Sequence, residues 1–264
     1  MAEPKKMTVK DLLAAKGQRT LAQIYVRNPK EASACETGGI DMIVTENSGD
    51  LAGIRKAAPN TFFTVGLLYG AHASIEEALR EAYRLLSMGV DAIYCPQSVD
   101  YVAALANEAI PTIGHVGLIP YKATWFGGMK AVGKTAVEAR KVYDSAKAHE
   151  DAGAIAVEVE VVPTEIASAI SERLSILTVG MGAGSGCDAQ YLFSTDVLGD
   201  NEGHIPRHAK VYRNHRLEYE RLYQDSVAAF SEFARDVATG AYPEAGHSLK
   251  ADPQELEAFL AAIT

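Results

Sequence analysis

The chain has 264 residues, 48% of them hydrophobic and 22% charged, with 34 acidic side chains against 25 basic ones and a formal charge of −9. These values exclude a disordered or collagen-like chain, and the acidic balance argues against a broad nucleic-acid footprint, which needs clustered Lys and Arg. Cys35, Cys95 and Cys187 form no CxxC pair, MAEPKKMTVK holds no apolar leader segment, and no apolar run nears the roughly 18 residues that span a bilayer, so the expectation is a reduced, cytoplasmic protein with no membrane partner.

Short β-rich apolar runs alternate with helical patterns along most of the chain. Strands are expected at 21–26, 40–44, 62–67, 92–95, 111–116, 155–160, 176–180 and near 191–194. Helices are expected between them near 29–37, 51–58, 75–88, 101–107, 136–152 and 164–173. Ser74 with Glu77, and Thr135 with Glu138, have capping-box spacing, and Gly89 and Gly153 supply the stops. Ile75, Leu79, Ala82 and Leu86 make one apolar stripe. Eight alternations predict a parallel (β/α)8 barrel with functional groups at the strand C-termini, and a doubly wound open sheet is the competing architecture. The pattern changes after residue 205. One or two long helices are expected over 208–239, carrying Tyr212, Tyr219, Tyr223, Phe230 and Phe233 as packing or subunit-interface residues. The expected organisation is one domain, 1–264, with 205–264 as a helical C-terminal cap.

The sharpest local signal is Glu158-Val159-Glu160 at the end of an apolar strand. Residues two apart share a face, so both carboxylates point together, into the barrel or away from it, with Ile155, Val157 and Val159 opposite. Paired inward, they cannot both ionise freely and one pKa rises. That suits a general base beside a carbonyl or a metal site, whereas a solvated or lysine-bound pair would be structural. His115 ends another predicted strand and is either a substrate contact or a satisfied core histidine. Asn47 and Ser48 follow the second strand, where turn formers are also common. The loop Gly182-Ala183-Gly184-Ser185-Gly186 is either an anion cradle or a plain turn. Gly127-Gly128, before Lys130 and Lys134, is either a mobile lid, with Lys130 or Lys134 attracting an anionic substrate, or a plain turn.

The segments GHVGLIPYKATWFGGMKAVGK, EVVPTEIASAI, VGMGAGSGCDAQYLFSTDVLG, GHIPRHAK and GAYPEAGHS occur in one order over about residues 110–248. In these blocks the chain resembles the ketopantoate hydroxymethyltransferase family of the phosphoenolpyruvate mutase/isocitrate lyase superfamily. GIDMIVTENSG extends the likeness more weakly into the N-terminal half. The resemblance implies a (β/α)8 barrel, a large homo-oligomer such as a decamer, and transfer of a one-carbon unit from 5,10-methylenetetrahydrofolate to 2-oxoisovalerate through a Mg2+-stabilised enolate. By position, it implies that Glu160 is the catalytic base and that His115 and Ser48 contact substrate.

Elsewhere the sequence departs from the family pattern. One metal-ligand aspartate aligns with Asn47 and the other with Gly66, while the KxEGG motif aligns with Tyr94-Cys95-Pro96-Gln97-Ser98. A hard dication prefers charged oxygen ligands, so the usual Mg2+ site is expected to be weakened or absent. Two replacements remain open. One is a relocated metal site from Glu46, Glu158 and Glu160, which requires the second strand to end by residue 45. The other is a metal-free oxyanion hole made from His115, Ser48, Tyr94 and backbone N–H groups, with Asn47 and Glu158 also near substrate. The expected function is therefore enolate-type carbon–carbon bond chemistry on a 2-oxo acid or related carbonyl compound. The alternatives are a lyase, hydrolase or isomerase of the superfamily, or a ligand-binding paralogue without catalysis.

Overall fold

A computed structural model describes residues 5–263 of the chain. The chain forms two compact units, Met1–Arg213 and Asn214–Thr264. The first carries eight strands: β1 (Leu21–Tyr25), β2 (Met42–Glu46), β3 (Phe62–Gly66), β4 (Ala92–Tyr94), β5 (Thr112–Gly117), β6 (Ala156–Glu160), β7 (Leu177–Met181) and β8 (Ala189–Phe193). They pair in parallel in sequence order, and β8 closes on β1. The barrel, rather than the open sheet, is the architecture. Its helices are α1 (Val9–Ala15), α2 (Pro29–Gly38), α3 (Leu51–Ala57), α4 (Ile75–Ser87), α5 (Val99–Asn107), α6 (Ala123–Phe126), α7 (Ala136–Asp151), α8 (Thr164–Ser171) and α9 (Ser194–Leu198).

Strand periodicity sorts the side chains into two cores. Leu21, Met42, Val44, Phe62, Ala92, Ile113, Ala156, Leu177, Val179 and Ala189 fill the barrel interior. Ile43, Phe63, Val65, Ile93, Val116, Val157 and Val159 face the surrounding helices. Ile155, expected on the helix side, instead packs on the inner cluster. Helix α1, which no sequence signal singled out, sends Leu12 and Ala15 into that inner cluster beside the first inward residues of the strands. Its short length leaves little periodicity to read, but Thr8 and Asp11 form a full capping box at its start.

Local signals hold with small shifts. Thr135 and Glu138 make the reciprocal capping box of α7. At α4, Ser74 accepts from Glu77 N–H, but the Glu77 carboxylate turns to Ala73 N–H rather than to the cap residue. No helix joins β7 to β8. The glycine-rich loop makes this connection by lying against α8: a Cβ on Gly184 would come 2.3 Å from Thr164 Cγ2, and one on Gly186 would come 1.9 Å from Ser168 Oγ. Those glycines therefore permit close packing on a helix.

The second unit consists of α10 (His215–Thr239), a short 3₁₀ turn and α11 (Pro253–Ala262). Asn214 caps α10 through Leu217 N–H, so the long helix starts seven residues later than the expected 208. Tyr219, Tyr223, Phe230, Phe233 and Val237 fall on one exposed stripe of α10. Among the described residues no helix is long and apolar enough to cross a membrane.

Candidate active site

The C-terminal ends of the strands open into a cavity of about 870 Å³, bordered mainly by apolar groups and several tyrosines. On the floor, β6 places Glu158 and Glu160 inward, and β5 places His115 beside them, in register with Glu158. All three are withdrawn from solvent, at 5%, 9% and 6% exposure. Tyr94 at the end of β4 completes the group: its hydroxyl lies 2.6 Å from His115 Nδ1. Tyr94 also interacts with Glu158.

Backbone features hold this floor together. Gly117 has φ +87°, and a Cβ there would stand 2.3 Å from the Glu160 carbonyl oxygen; its absence lets Leu118 N–H donate to that oxygen at 2.8 Å. Val161, directly after Glu160, adopts φ +48°. A β-branched residue in the left-handed region is strained by about 1–3 kcal/mol. Its N–H donates to Met181 O and its carbonyl accepts from Val132 N–H, which fix the turn. Behind β5, the His149 ring fills the space that a Gly114 side chain would occupy, 2.5 Å from a Cβ built there. Burial lowers the pKa of His149 to about 4, so it stays neutral.

The electrostatics distinguish the two carboxylates. Burial, with help from the neighbouring Glu160 charge, raises Glu158 to about 7 against the favourable pull of His115 and Tyr94. Burial disfavours a charge on His115, but Glu158 and Glu160 outweigh it and its pKa rises. Tyr94 moves well above the usual tyrosine range, chiefly through burial. His115 Nε2 is 3.1 Å from Glu160 Oε2, within ion-pair distance, and the Glu160 carboxylate contributes to raising the His115 pKa. The buried Nε2 is left without a hydrogen-bonding partner. Such an orphan next to a cavity marks a place for a ligand atom.

The other candidate residues are dispersed. β2 runs through Glu46, not to residue 45, so Glu46 faces the cavity while the next residue turns away. Asn47 is held outside, its Nδ2–H donating to Glu81 Oε1 at 2.5 Å and its Oδ1 accepting from Arg84 at 2.9 Å. Ser48 is exposed, and neither it nor Asn47 lines the cavity. Gly66 does line it; a Cβ there would meet the Tyr94 ring at 3.5 Å. The positions aligned with the family's metal aspartates therefore offer no charged oxygen: one is an amide clamped by an Arg–Glu pair, the other has no side chain. Those residues do not fit a Mg2+ ion. Among the described residues, the donor atoms of His115, Glu158 and Glu160 do converge, all within 4.8 Å of one another, but Glu46 is not part of that group.

Sequence reasoning passed over several cavity residues. Tyr25, Tyr191 and Tyr121 line it, and Tyr121 stacks on Tyr69 with ring centres 3.6 Å apart. His204, Arg207 and His208 border it from the segment after α9. The inward period of β1 and β8 marks Tyr25 and Tyr191, whereas residues 204–208 lie in irregular chain with no periodic signal.

The family model described as ketopantoate hydroxymethyltransferase matches residues 50–245. The 3-methyl-2-oxobutanoate hydroxymethyltransferase of Thermus thermophilus is 36% identical over 265 residues, covering 91% of this chain and 98% of its own. That of Deinococcus radiodurans is 37% identical over 201 residues, covering 74% and 68%. Among solved structures, 2,3-dimethylmalate lyase of the PEP mutase/isocitrate lyase superfamily superposes with a TM-score of 0.52 at 13% identity, over 97% of this chain and 99% of that one. Phosphonopyruvate hydrolase bound to oxalate and Mg2+ gives 0.50 at 14% identity, over 97% and 96%. These two likenesses concern the barrel fold.

Proposed function

The chain belongs to the ketopantoate hydroxymethyltransferase family, and we propose that it makes a carbon–carbon bond between the enolate of a 2-oxo acid or related carbonyl compound and a one-carbon unit at the formaldehyde oxidation level. Glu160 takes the proton from the carbon next to the carbonyl. The negative charge that develops on the carbonyl oxygen is received by His115 Nε2–H, with protonated Glu158 and Tyr94 beside it. The enolate carbon then attacks the CH2 carbon of the one-carbon electrophile as the substrate carbonyl re-forms. The π pair of the electrophile's C=N or C=O bond moves to its nitrogen or oxygen, which takes up the proton held by Glu160. Where that atom is nitrogen, water supplies the hydroxyl as the amine leaves.

The observation that carries this reading is the buried His115 Nε2 without a hydrogen-bonding partner, beside the base and at the cavity floor. Preorganised donors in a dry site are the largest single contribution to stabilising such an oxyanion. With Asn47 outside the cavity and Gly66 bare, this chain's own donors take that task, and no step here passes through a metal at the family's usual position. The donor of the one-carbon unit implied by the family is a methylene-bearing folate. The exposed apolar stripe of α10 supports a homo-oligomer.

The transfer is tested with a 13C-labelled one-carbon donor and 2-oxoisovalerate. A new 13C–13C coupling in a doubly labelled product, lost in Glu160→Gln, is the expected result. Cleavage of a carbon–carbon bond without any new one would replace the transferase reading with a lyase.

A further inference from the structure

We infer a subsite for a multiply charged anionic group at the cavity mouth, formed by Lys130, Lys134 and Arg207 with His204 and His208. All five line the same cavity. Lys130 and Lys134 belong to the segment after β5, and the other three to the segment after α9, so two separate stretches of chain bring positive charge to one opening. β6 and β7 lie between β5 and β8 in the barrel and carry Glu160 and Met181 at their ends. His208 is seated at the end of β7, its Nδ1 2.9 Å from where a Cβ on Gly182 would stand.

Two contrasts make this arrangement more than scattered surface charge. Lys130, Lys134 and Arg207 have no carboxylate within ion-pair distance among the described residues, in a chain whose formal charge is −9. The floor below holds the carboxyl groups of Glu158 and Glu160, and the other carboxylates of the lining, Glu46 and Asp196, stand on β2 and α9, whereas the cavity's Lys and Arg side chains all come from the segments after β5 and after α9. A molecule carrying both a reactive carbonyl or methylene centre and an anionic tail is oriented by that polarity, tail outward. The cavity, about 870 Å³, is of the size that encloses a drug-sized ligand rather than a small 2-oxo acid alone. The tail is a phosphate or a cluster of carboxylates, which present the same chemistry to lysine and arginine.

The inference rests on the cavity being the reaction site, but its test reads binding alone. Titration calorimetry at low salt would use inorganic pyrophosphate and, separately, tricarballylate. The expected result is saturable binding of at least one of them, weakened by added NaCl. It should fall about tenfold or more in Arg207→Ala and in Lys130→Ala/Lys134→Ala, as loss of a charged hydrogen bond implies, and stay unchanged in Lys141→Ala, an exposed lysine of α7 outside the cavity. Preference for pyrophosphate assigns a phosphate tail; preference for tricarballylate assigns carboxylates. No saturable binding of either, or an equal loss in Lys141→Ala, would overturn the subsite. Anion binding that persists in a protein without enolising activity would remove the proposed reaction and leave the subsite standing. Enolisation without anion binding would do the reverse.

Discussion

The Tyr94 hydroxyl stands 2.6 Å from His115 Nδ1, and the direction of that hydrogen bond follows the tautomer of the ring. In the proposed reaction the ring takes the neutral tautomer in which Tyr94 O–H donates to Nδ1 and the proton on Nε2 is offered to the cavity. Tyr94→Phe removes that constraint and leaves a buried ring nitrogen without its partner. The α-proton exchange rate of a bound 2-oxo acid should fall about 10- to 100-fold, the equivalent of losing one buried hydrogen bond to a polar group. His115→Gln should lose at least as much. A Tyr94→Phe protein with unaltered exchange would show that the tyrosine only fills space.

Glu158, raised to about 7 by burial and by Glu160, makes the protein pH-sensitive in a definite direction. From 4.5, its ordinary value, up to about 7, the folded protein keeps a proton that the unfolded chain has released. Stability therefore falls as pH rises through that window, by a total on the order of 3 kcal/mol. Glu158→Gln stays neutral and should flatten that slope in denaturant titrations between pH 4.5 and 8. In the wild-type protein the exchange rate is expected to decline above about pH 7, where Glu158 loses the proton it donates, and Glu158→Gln should remove that decline because the amide still donates a hydrogen bond. A decline that persists in Glu158→Gln would assign it to another group.

Gly114 and His149 are a matched pair. A Cβ on Gly114 would come 2.5 Å from His149 Nδ1, and the ring lies buried between α7 and β5 with little room to retreat. Gly114→Ala is expected to cost about 1–3 kcal/mol by overpacking, read from the midpoint of chemical denaturation. The smaller side chain of Gly114→Ala/His149→Ala should recover part of that loss. If Gly114→Ala alone leaves the midpoint unchanged, the ring is not held as described.

Replacing the two family aspartates tests the metal argument from the opposite side. In Asn47→Asp/Gly66→Asp, the carboxylate at 47 keeps Arg84 as its partner, loses the hydrogen bond to Glu81 and is repelled by it, and the residue at 66 starts from van der Waals contact with the Tyr94 ring. Calorimetry should therefore show no Mg2+ binding tighter than about millimolar, the weak end of carboxylate cation sites. Submillimolar binding would mean that the two substitutions alone had removed the site.

Much of this was legible in the residues. Eight strand–helix alternations pointed to the barrel, and a period of two along a single strand put Glu158 and Glu160 on one face without saying whether that face is inward. His115 and Glu160 came together because β5 and β6 are adjacent and in register, Gly117 opposite Glu160, a relation that strand order predicts. The fate of Asn47 did not follow from local pattern: Arg84 and Glu81 lie more than thirty positions away, and only the tertiary fold, which sets α4 against the loop after β2, brings them to it. The sequence leaves the connection after β7 open between an anion cradle and a plain turn because glycine permits either, and the contact with Thr164 and Ser168 that gives those glycines a packing role is tertiary. His204, Arg207 and His208 stayed invisible as cavity residues because irregular chain has no period to assign its facing.

In the proposed reaction the floor of the barrel generates an enolate with its own side chains, Glu160 as base and His115 as oxyanion donor. The most direct test is hydrogen–deuterium exchange of 2-oxoisovalerate in D2O, followed by NMR, with the wild-type protein and Glu160→Gln, each with Mg2+ and with EDTA. No one-carbon donor is needed, so the proton step is read alone. Exchange is expected to depend on Glu160 and to survive EDTA. Exchange abolished by EDTA and restored by a divalent cation would contradict the proposal, and would place a cation among His115, Glu158 and Glu160 instead.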